Sequence, residues 1–202
     1  MTVAYVDEGD IDGAMEQMQK QFDIASAIND AGAMTGDLNT MGNILYETGR
    51  YDEARIKYKE ALRVMMESDL SAEVKENTRR LSIYNEGRLQ LKTGGLKDAK
   101  TMAVDFSNQA KNANNTFQIW LSHYFNGLIA LQEEDYKAAI REFKSANLQN
   151  PQTHYQLALA YMGDGNNEEA KKYADQCANF NALTSLNQAF VGNKAHEILS
   201  SL

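Results

Sequence analysis

Residues 41–61 read MGNILYETGRYDEARIKYKEA. Gly42, Leu45, Gly49, Tyr51, Ala54, Tyr58 and Ala61 stand at intervals that suit two short helices folded against each other. Gly42 allows a second helix to cross close to the first, and Gly49 supplies the left-handed backbone that ends a helix. Ala54 is expected to be the small residue facing Gly42, with Tyr51, Tyr58 and Ala61 filling the seam.

The pattern returns in residues 127–146, GLIALQEEDYKAAIREFKSA, as Gly127, Ala130, Glu134, Tyr136, Ala139, Phe143 and Ala146, with Pro151 following shortly after. Two copies are more degenerate. One runs through Gly87, Gln90, Gly94, Leu96, Ala99, Ala103 and Phe106, and the other through Ala158, Tyr161, Gly165, Asn167, Ala170, Ala174 and Cys177. A shortened copy at the start uses Tyr5, Gly9, Ile11, Ala14 and Met18. Internal self-similarity at tens of residues is the mark of a stacked array, because one hairpin cannot bury its own apolar face.

These segments resemble tetratricopeptide repeats over about residues 2–180. The resemblance implies an all-α fold, a right-handed superhelical array of antiparallel helix pairs. The alanines opening successive second helices, Ala14, Ala54, Ala99, Ala139 and Ala170, are separated by 40, 45, 40 and 31 residues. The family repeat is about 34, so lengthened helices or turns are expected in the first three units. Helices are predicted at 2–8, 11–30, 34–48, 51–68, 72–93, 96–112, 116–132, 136–148, 152–162 and 167–179. Residues 1–182 then hold about four and a half hairpins. Residues 183–202 form a C-terminal capping helix that Gly192 divides in two. The first hairpin starts partway along its first helix, which reads either as a piece of a longer protein or as a short natural cap.

Composition agrees with this and removes other classes. One Pro in 202 residues leaves helices unbroken almost throughout. Twenty Lys and Arg against 28 Asp and Glu give a net charge of −8, the wrong sign for a phosphate backbone. No apolar run approaches the roughly 20 residues that span a bilayer. The single Cys177 cannot form an internal disulfide and takes a slot held elsewhere by Ala61 and Ala146, so it is expected to be a packing residue. The compartment stays open.

Chemistry-bearing motifs are missing. There is no G-x-S-x-G, H-E-x-x-H, C-x-x-C or glycine-rich phosphate loop, so no enzyme activity and no cofactor are expected. Glu8, Asp10, Asp12 and Gly13 imitate half a calcium loop, but Gln19 replaces the closing Glu, and the repeat register makes this run a turn and helix start. His123 and His154 occupy equivalent slots filled by Leu38 and Ile83 in other units, which predicts two inward-packed histidines and no metal.

The groove follows from the helical faces. If Leu38, Met41, Gly42 and Leu45 pack inward, then Asn39, Asn43 and Tyr46 share the opposite face. Tyr84, Asn85 and Arg88 present the next unit, followed by Tyr124 and Phe125 with Leu121 and Leu128, then Tyr155 and Gln156 with Leu159 and Met162. Amides can hold an extended backbone, aromatic rings supply anchors, and Arg88 can take a carboxylate. Some tetratricopeptide domains clamp a terminal carboxylate with lysines and asparagines. Asn43 and Asn85 match the asparagine places, but Asn39 stands where that clamp has lysine, and Leu121 and Phe125 replace its distal basic pair. That specificity is not carried over. What remains is a non-enzymatic scaffold binding a peptide or protein segment, apolar or weakly acidic, with no nucleic acid and no membrane insertion. The alternative is a structural or oligomerisation module acting through the solenoid ends, pairing with another copy or with an upstream domain of the same chain.

Overall fold

The computed structural model describes residues 1–180 and 185–202, all as helices joined by short turns, with no strand among them. Eleven helices follow in order: α1 Thr2–Asp7, α2 Ile11–Ala27, α3 Ala31–Glu47, α4 Tyr51–Glu67, α5 Ala72–Lys92, α6 Leu96–Asn112, α7 Thr116–Gln132, α8 Tyr136–Ser145, α9 Pro151–Gly163, α10 Asn167–Ala178 and α11 Leu186–Ser201. They form two compact units, residues 1–102 and 103–202.

Turn chemistry explains the regular spacing. Gly9, Gly49, Gly94 and Gly165 adopt positive φ, and so do Asn29, Asn114 and Glu134. In every case the next residue's N–H reaches back to the helix before it, as with Asp30 to Ala25, Arg50 to Leu45 and Asp135 to Ala130. That is the six-to-one bond of a Schellman ending. The same residue then caps the next helix in most turns: Asp10, Asp30, Asn115, Asp135 and Asn166 each accept a side-chain hydrogen bond from a first-turn amide. One left-handed residue followed by one cap therefore makes a tight reversal.

Seventeen-residue helices joined by such turns give α2, α3, α4, α6 and α7. The interval of 45 arises where α5 extends to 21 residues and Ser68–Ser71 form a longer link with an extended backbone at Ser68. Helix α8 has only 10 residues and α9 only 13, which shortens the last interval, from Ala139 to Ala170, to 31. The lengthened helices expected from the alanine spacing are thus present. Asn29 corrects one boundary: α2 stops at Ala27 and α3 starts at Ala31, because Asn29 adopts left-handed backbone where the sequence showed no glycine.

In the first unit each helix packs against the next from α1 to α5. Leu45, Tyr46, Ala54, Tyr58 and Leu89 bring α3, α4 and α5 into one core. Gly42 is needed here, though for a different partner from the expected Ala54. A Cβ built on Gly42 overlaps the Tyr58 ring, so the glycine is the recess into which that ring seats.

In the second unit α7 packs on α8, α8 on α9, α9 on α10, and α11 covers both α9 and α10. Gly127 repeats the recess, with the fully buried Phe143 ring against it, and Gly163 does the same for Tyr136. Helix α11 seats Ile198 against Ala158 and Ala174. It is one continuous helix through Gly192, contrary to the division expected there. The expected boundary between residues 182 and 183 lies outside the described residues.

Candidate functional site

Asp10 settles the acidic run near the start. Its side chain accepts from Gly13 N–H at 2.9 Å as the cap of α2, and Asp12 lies in the first helical turn. Among the described residues no group of three or more His, Cys, Asp or Glu is placed to hold a metal. His123 and His154 are half-buried rather than fully inward. His123 Nδ1 lies 2.8 Å from Glu142 Oε2, and His154 Nε2 lies 2.8 Å from the Leu148 carbonyl. Short polar partners in each slot explain the partial exposure. Cys177 is buried, and that burial pushes its thiol up to about 12, as suits an inert packing residue.

In the first unit, the face drawn from α3 and α5 comes together around a guanidinium. Arg88 Nη2 donates to Asn43 Oδ1 at 3.0 Å, to the Tyr58 hydroxyl at 3.1 Å and to Asn85 Oδ1 at 3.4 Å. The Tyr58 hydroxyl in turn donates to Asn43 Oδ1 at 2.8 Å. Arg88 Cζ lies 4.3 Å from the Tyr46 ring centre and 4.7 Å from that of Tyr84. Asn39 Nδ2 donates to Thr35 O, and Asn39 Oδ1 accepts from Asn85 Nδ2 at 3.3 Å.

Depth separates these residues. Tyr46, Tyr84, Asn85 and Arg88 are each under a tenth exposed, whereas Asn39 and Asn43 are half-buried. The first four make a floor, and the two asparagines of α3 are its reachable rim. Burial pushes the Tyr58 phenol up to about 12, with Arg88 pulling the other way, and raises Tyr46 and Tyr84 for the same reason. All three stay neutral at physiological pH. Arg88 stays charged: burial opposes the charge, but the surrounding tyrosine oxygens and Glu47 outweigh it.

The Tyr46 hydroxyl is buried without a hydrogen-bond partner. An orphaned buried hydroxyl costs about 1–3 kcal/mol of desolvation. Tyr46→Phe is therefore expected to leave stability unchanged or raise it by about 1 kcal/mol, read as a higher urea midpoint. A clear loss would show that the hydroxyl has a partner in solution.

In the second unit, Phe125 is fully buried and Tyr124 is 8% exposed, its ring 5.6 Å from that of Phe143. Leu121, Leu128, Tyr155 and Gln156 are half-buried. Leu159 and Met162 pack partly against Ile198 and its neighbours, so the capping helix covers that end of α9. Neither α7 nor α9 contains a single Asp, Glu, Lys or Arg. Phe117 and Trp120 of α7 are 58% and 39% exposed, and neither was among the groove residues expected from sequence. The signal was available: Phe117, Leu121, Tyr124 and Leu128 recur at helical spacing on one face, one turn upstream of where the repeat pattern begins.

The repeated recess, the paired helices and the turn chemistry invite comparison with known proteins. Residues 37–67 match a family model described as tetratricopeptide repeat, and residues 151–182 match a second model of the same description. The chain is a tetratricopeptide repeat protein. The two matches contain α3 with Asn39, Asn43 and Tyr46, and α9 with Tyr155 and Gln156. No curated protein matches the chain. The crystal structure of BtubC (BKLC) from P. vanneervenii is similar, with a TM-score of 0.53 and 16% identity over 87% of this chain and 75% of that one. At that identity the likeness speaks to the fold. Tetratricopeptide repeats generally mediate protein–protein interaction, and the family is typically a non-catalytic scaffold. No helix among the described residues is long and apolar enough to cross a membrane.

Proposed function

We propose that this tetratricopeptide repeat protein is a non-enzymatic scaffold whose first-helix faces hold an extended segment of a protein partner. The observation that carries the reading is the surface of α7 and α9. These two helices touch each other, carry no Asp, Glu, Lys or Arg, and leave Phe117 and Trp120 exposed and Tyr155 and Gln156 half-buried in a chain of net charge −8. Large exposed aromatic side chains on an uncharged surface suit a protein segment that brings apolar anchors.

In the first unit the rim is amide. Asn39 has both its side-chain groups engaged, but Asn43 uses only its oxygen. Asn43 Nδ2 is thus the donor left for a passing backbone carbonyl.

Three substitutions test the reading; Trp120 is 39% exposed, whereas Asn43 and Tyr155 are half-buried and Tyr155 packs against the Ala158, Ala174 and Ile198 core, so helicity is measured alongside binding. Trp120→Ala with Tyr155→Ala is expected to weaken binding of the natural partner by about 2–4 kcal/mol, measured by calorimetry. Asn43→Ala is expected to cost about 1 kcal/mol through one lost hydrogen bond. Undiminished affinity in the double variant, with helicity intact, would remove the α7 and α9 face from the site.

Association through an end is the second reading, and α2 favours it. Tyr5 stands against Gly13 and Thr2 against Met18, so α1 reaches only to the middle of α2. Beyond it Ile24 and Ile28 are 67% and 69% exposed. Light scattering against concentration reads this directly: a defined oligomer abolished by Ile24→Lys would place self-association at that end, and a concentration-independent monomer would discard it.

A further inference from the structure

We infer that the uncovered half of α2 docks a basic amphipathic segment of another protein, with apolar residues on Ile24 and Ile28 and lysines or arginines against the carboxylates around them. This rests on the second reading above only in placing an interface at the α2 end, and it names a different occupant. Helix α1 covers just the first part of α2: Tyr5 stands against Gly13, and Thr2 Oγ1 donates to Met18 Sδ at 3.7 Å. The face that meets Tyr5 at Gly13 continues at helical spacing through Gln17 and Ile24 to Ile28, the C-cap residue. Gln17 is half-buried, whereas Ile24 and Ile28 are 67% and 69% exposed. From Met18 to Ile28 the helix runs roughly 15 Å, room for about three turns of a second helix laid against it. Two branched aliphatic side chains one turn apart suit a partner helix that brings its own anchors at i and i+4.

Charge selects the occupant. Residues 1–49 contain nine Asp and Glu against one Lys, a net −8, while residues 50–202 contain nineteen of each sign. The whole net charge of the chain therefore belongs to α1, α2, α3 and their turns. Lys20, the one lysine, is engaged by Glu16 at 2.8 Å. Asp23 precedes Ile24 and accepts from the Gln19 amide at 2.8 Å, and Asp30 follows Ile28 by two residues and accepts from the Ala33 N–H at 2.9 Å. Asp37 lies two turns along α3 from Asp30, where partial burial first and the Asp30 charge second raise its carboxyl above the ordinary range. Among the described residues, none of Asp23, Asp30 and Asp37 has a lysine or arginine at ion-pair distance.

A second copy is the wrong occupant for this surface. A two-fold contact would lay α2 against itself and set these carboxylates against their own equivalents, a like-charge arrangement that opposes association. A neutral apolar segment would cover the isoleucines but leave the carboxylates at the rim partly desolvated and uncompensated. A segment with lysines or arginines flanking its apolar face meets both features, and the −8 region attracts it as it approaches.

Fluorescence anisotropy of a labelled peptide, titrated with the full chain, tests the assignment. The probe is a designed helix of about 15 residues with leucines at i, i+4 and i+7 and lysines on either side of them. One control replaces the lysines with glutamates, and the other replaces the leucines with serines. The expected result is saturable binding of the leucine–lysine peptide, at least about tenfold tighter than either control and weakened by added salt. Ile24→Ser with Ile28→Ser is expected to weaken it at least about tenfold, and Asp23→Asn with Asp37→Asn about fivefold with a shallower salt dependence. Circular dichroism checks that both variants keep their helices. Ile56→Ser, at an isoleucine of α4 that is 62% exposed, is expected to change nothing. Binding that survives the isoleucine pair unaltered, or a control peptide that binds as well as the probe, would overturn the assignment. Sedimentation of the unaltered chain separates it from the reading whose interface it shares. A defined dimer lost in Ile24→Ser with Ile28→Ser would keep that end as an interface, make a second copy its occupant and overturn the basic partner. A monomer that binds no peptide would remove both.

Discussion

Phe143→Ala is expected to destabilise the second unit by about 3–5 kcal/mol, the range for deleting a fully buried aromatic ring. The ring is 0% exposed and seats against Gly127 on α7 while joining Tyr124, Leu157 and Tyr161 in one core. Its loss therefore opens a cavity shared by α7, α8 and α9. Gly127→Ala attacks the same seam from the other side. The added methyl overlaps the ring, and neither helix can withdraw without breaking its remaining contacts, so a cost of about 1–3 kcal/mol is expected. The two changes are expected to couple. With Phe143→Leu in place the new methyl has somewhere to go, and Gly127→Ala should then cost less than half as much. Trp120, the chain's single tryptophan, lies on α7 and reports the transition by fluorescence during urea denaturation. Strictly additive losses would mean that the glycine and the ring do not share a recess.

Arg88→Ala is the second large effect, at about 2–4 kcal/mol for the first unit. Removing the guanidinium strips Asn85 Oδ1 of its charged donor and takes a stacked group from between Tyr46 and Tyr84. Asn43 Oδ1 is less exposed to the loss, because the Tyr58 hydroxyl continues to donate to it. Arg88→Met keeps most of the stem packing and removes the buried charge, so it is expected to cost roughly half as much as the alanine variant. Hydrogen exchange of the α3 and α5 amides separates the two. A methionine variant as damaged as the alanine variant would show that the charge, and not the packing, holds the cluster.

Much of this fold is written in small residues. Gly42 and Gly127 mark the recesses, and Ala54, Ala99, Ala139 and Ala170 mark the close approaches, each of these alanines being 0% exposed. Their spacing placed α6 and α7 at their observed limits and every other helix from α1 to α10 within a few residues. Asn29 was harder to see. A left-handed residue is signalled plainly by glycine but only weakly by asparagine, and the same conformation at Glu134 has no sequence signal of its own. Gly192 misled in the opposite direction, since a glycine within a helix that packs on both neighbours is held by that packing.

The candidate site was legible as a face and illegible as a depth. Helical spacing put Asn39, Asn43 and Tyr46 on one face opposite Leu45, but it cannot tell how far α4 overhangs them: the two asparagines are half-buried, whereas Tyr46 lies in the same core as Leu45. Arg88 shows why. A charged residue on an amphipathic helix is expected at the surface, yet three helices contribute Asn43, Tyr58 and Asn85 to house it, from positions up to 45 residues away. That cage depends on pairing helices that no local pattern in α5 announces. Phe117 and Trp120 were missed for a simpler reason, because they precede the segment in which the repeat can be recognised.

The account stands on the first-helix faces being where a protein segment sits. Site-specific photo-crosslinking measures that directly, with benzoylphenylalanine placed singly at Asn43 of α3, Gln156 of α9 and the exposed Ile56 of α4. Crosslinks to the natural partner from positions 43 and 156, with none from 56, are the predicted result. Crosslinks from position 56 alone would contradict it.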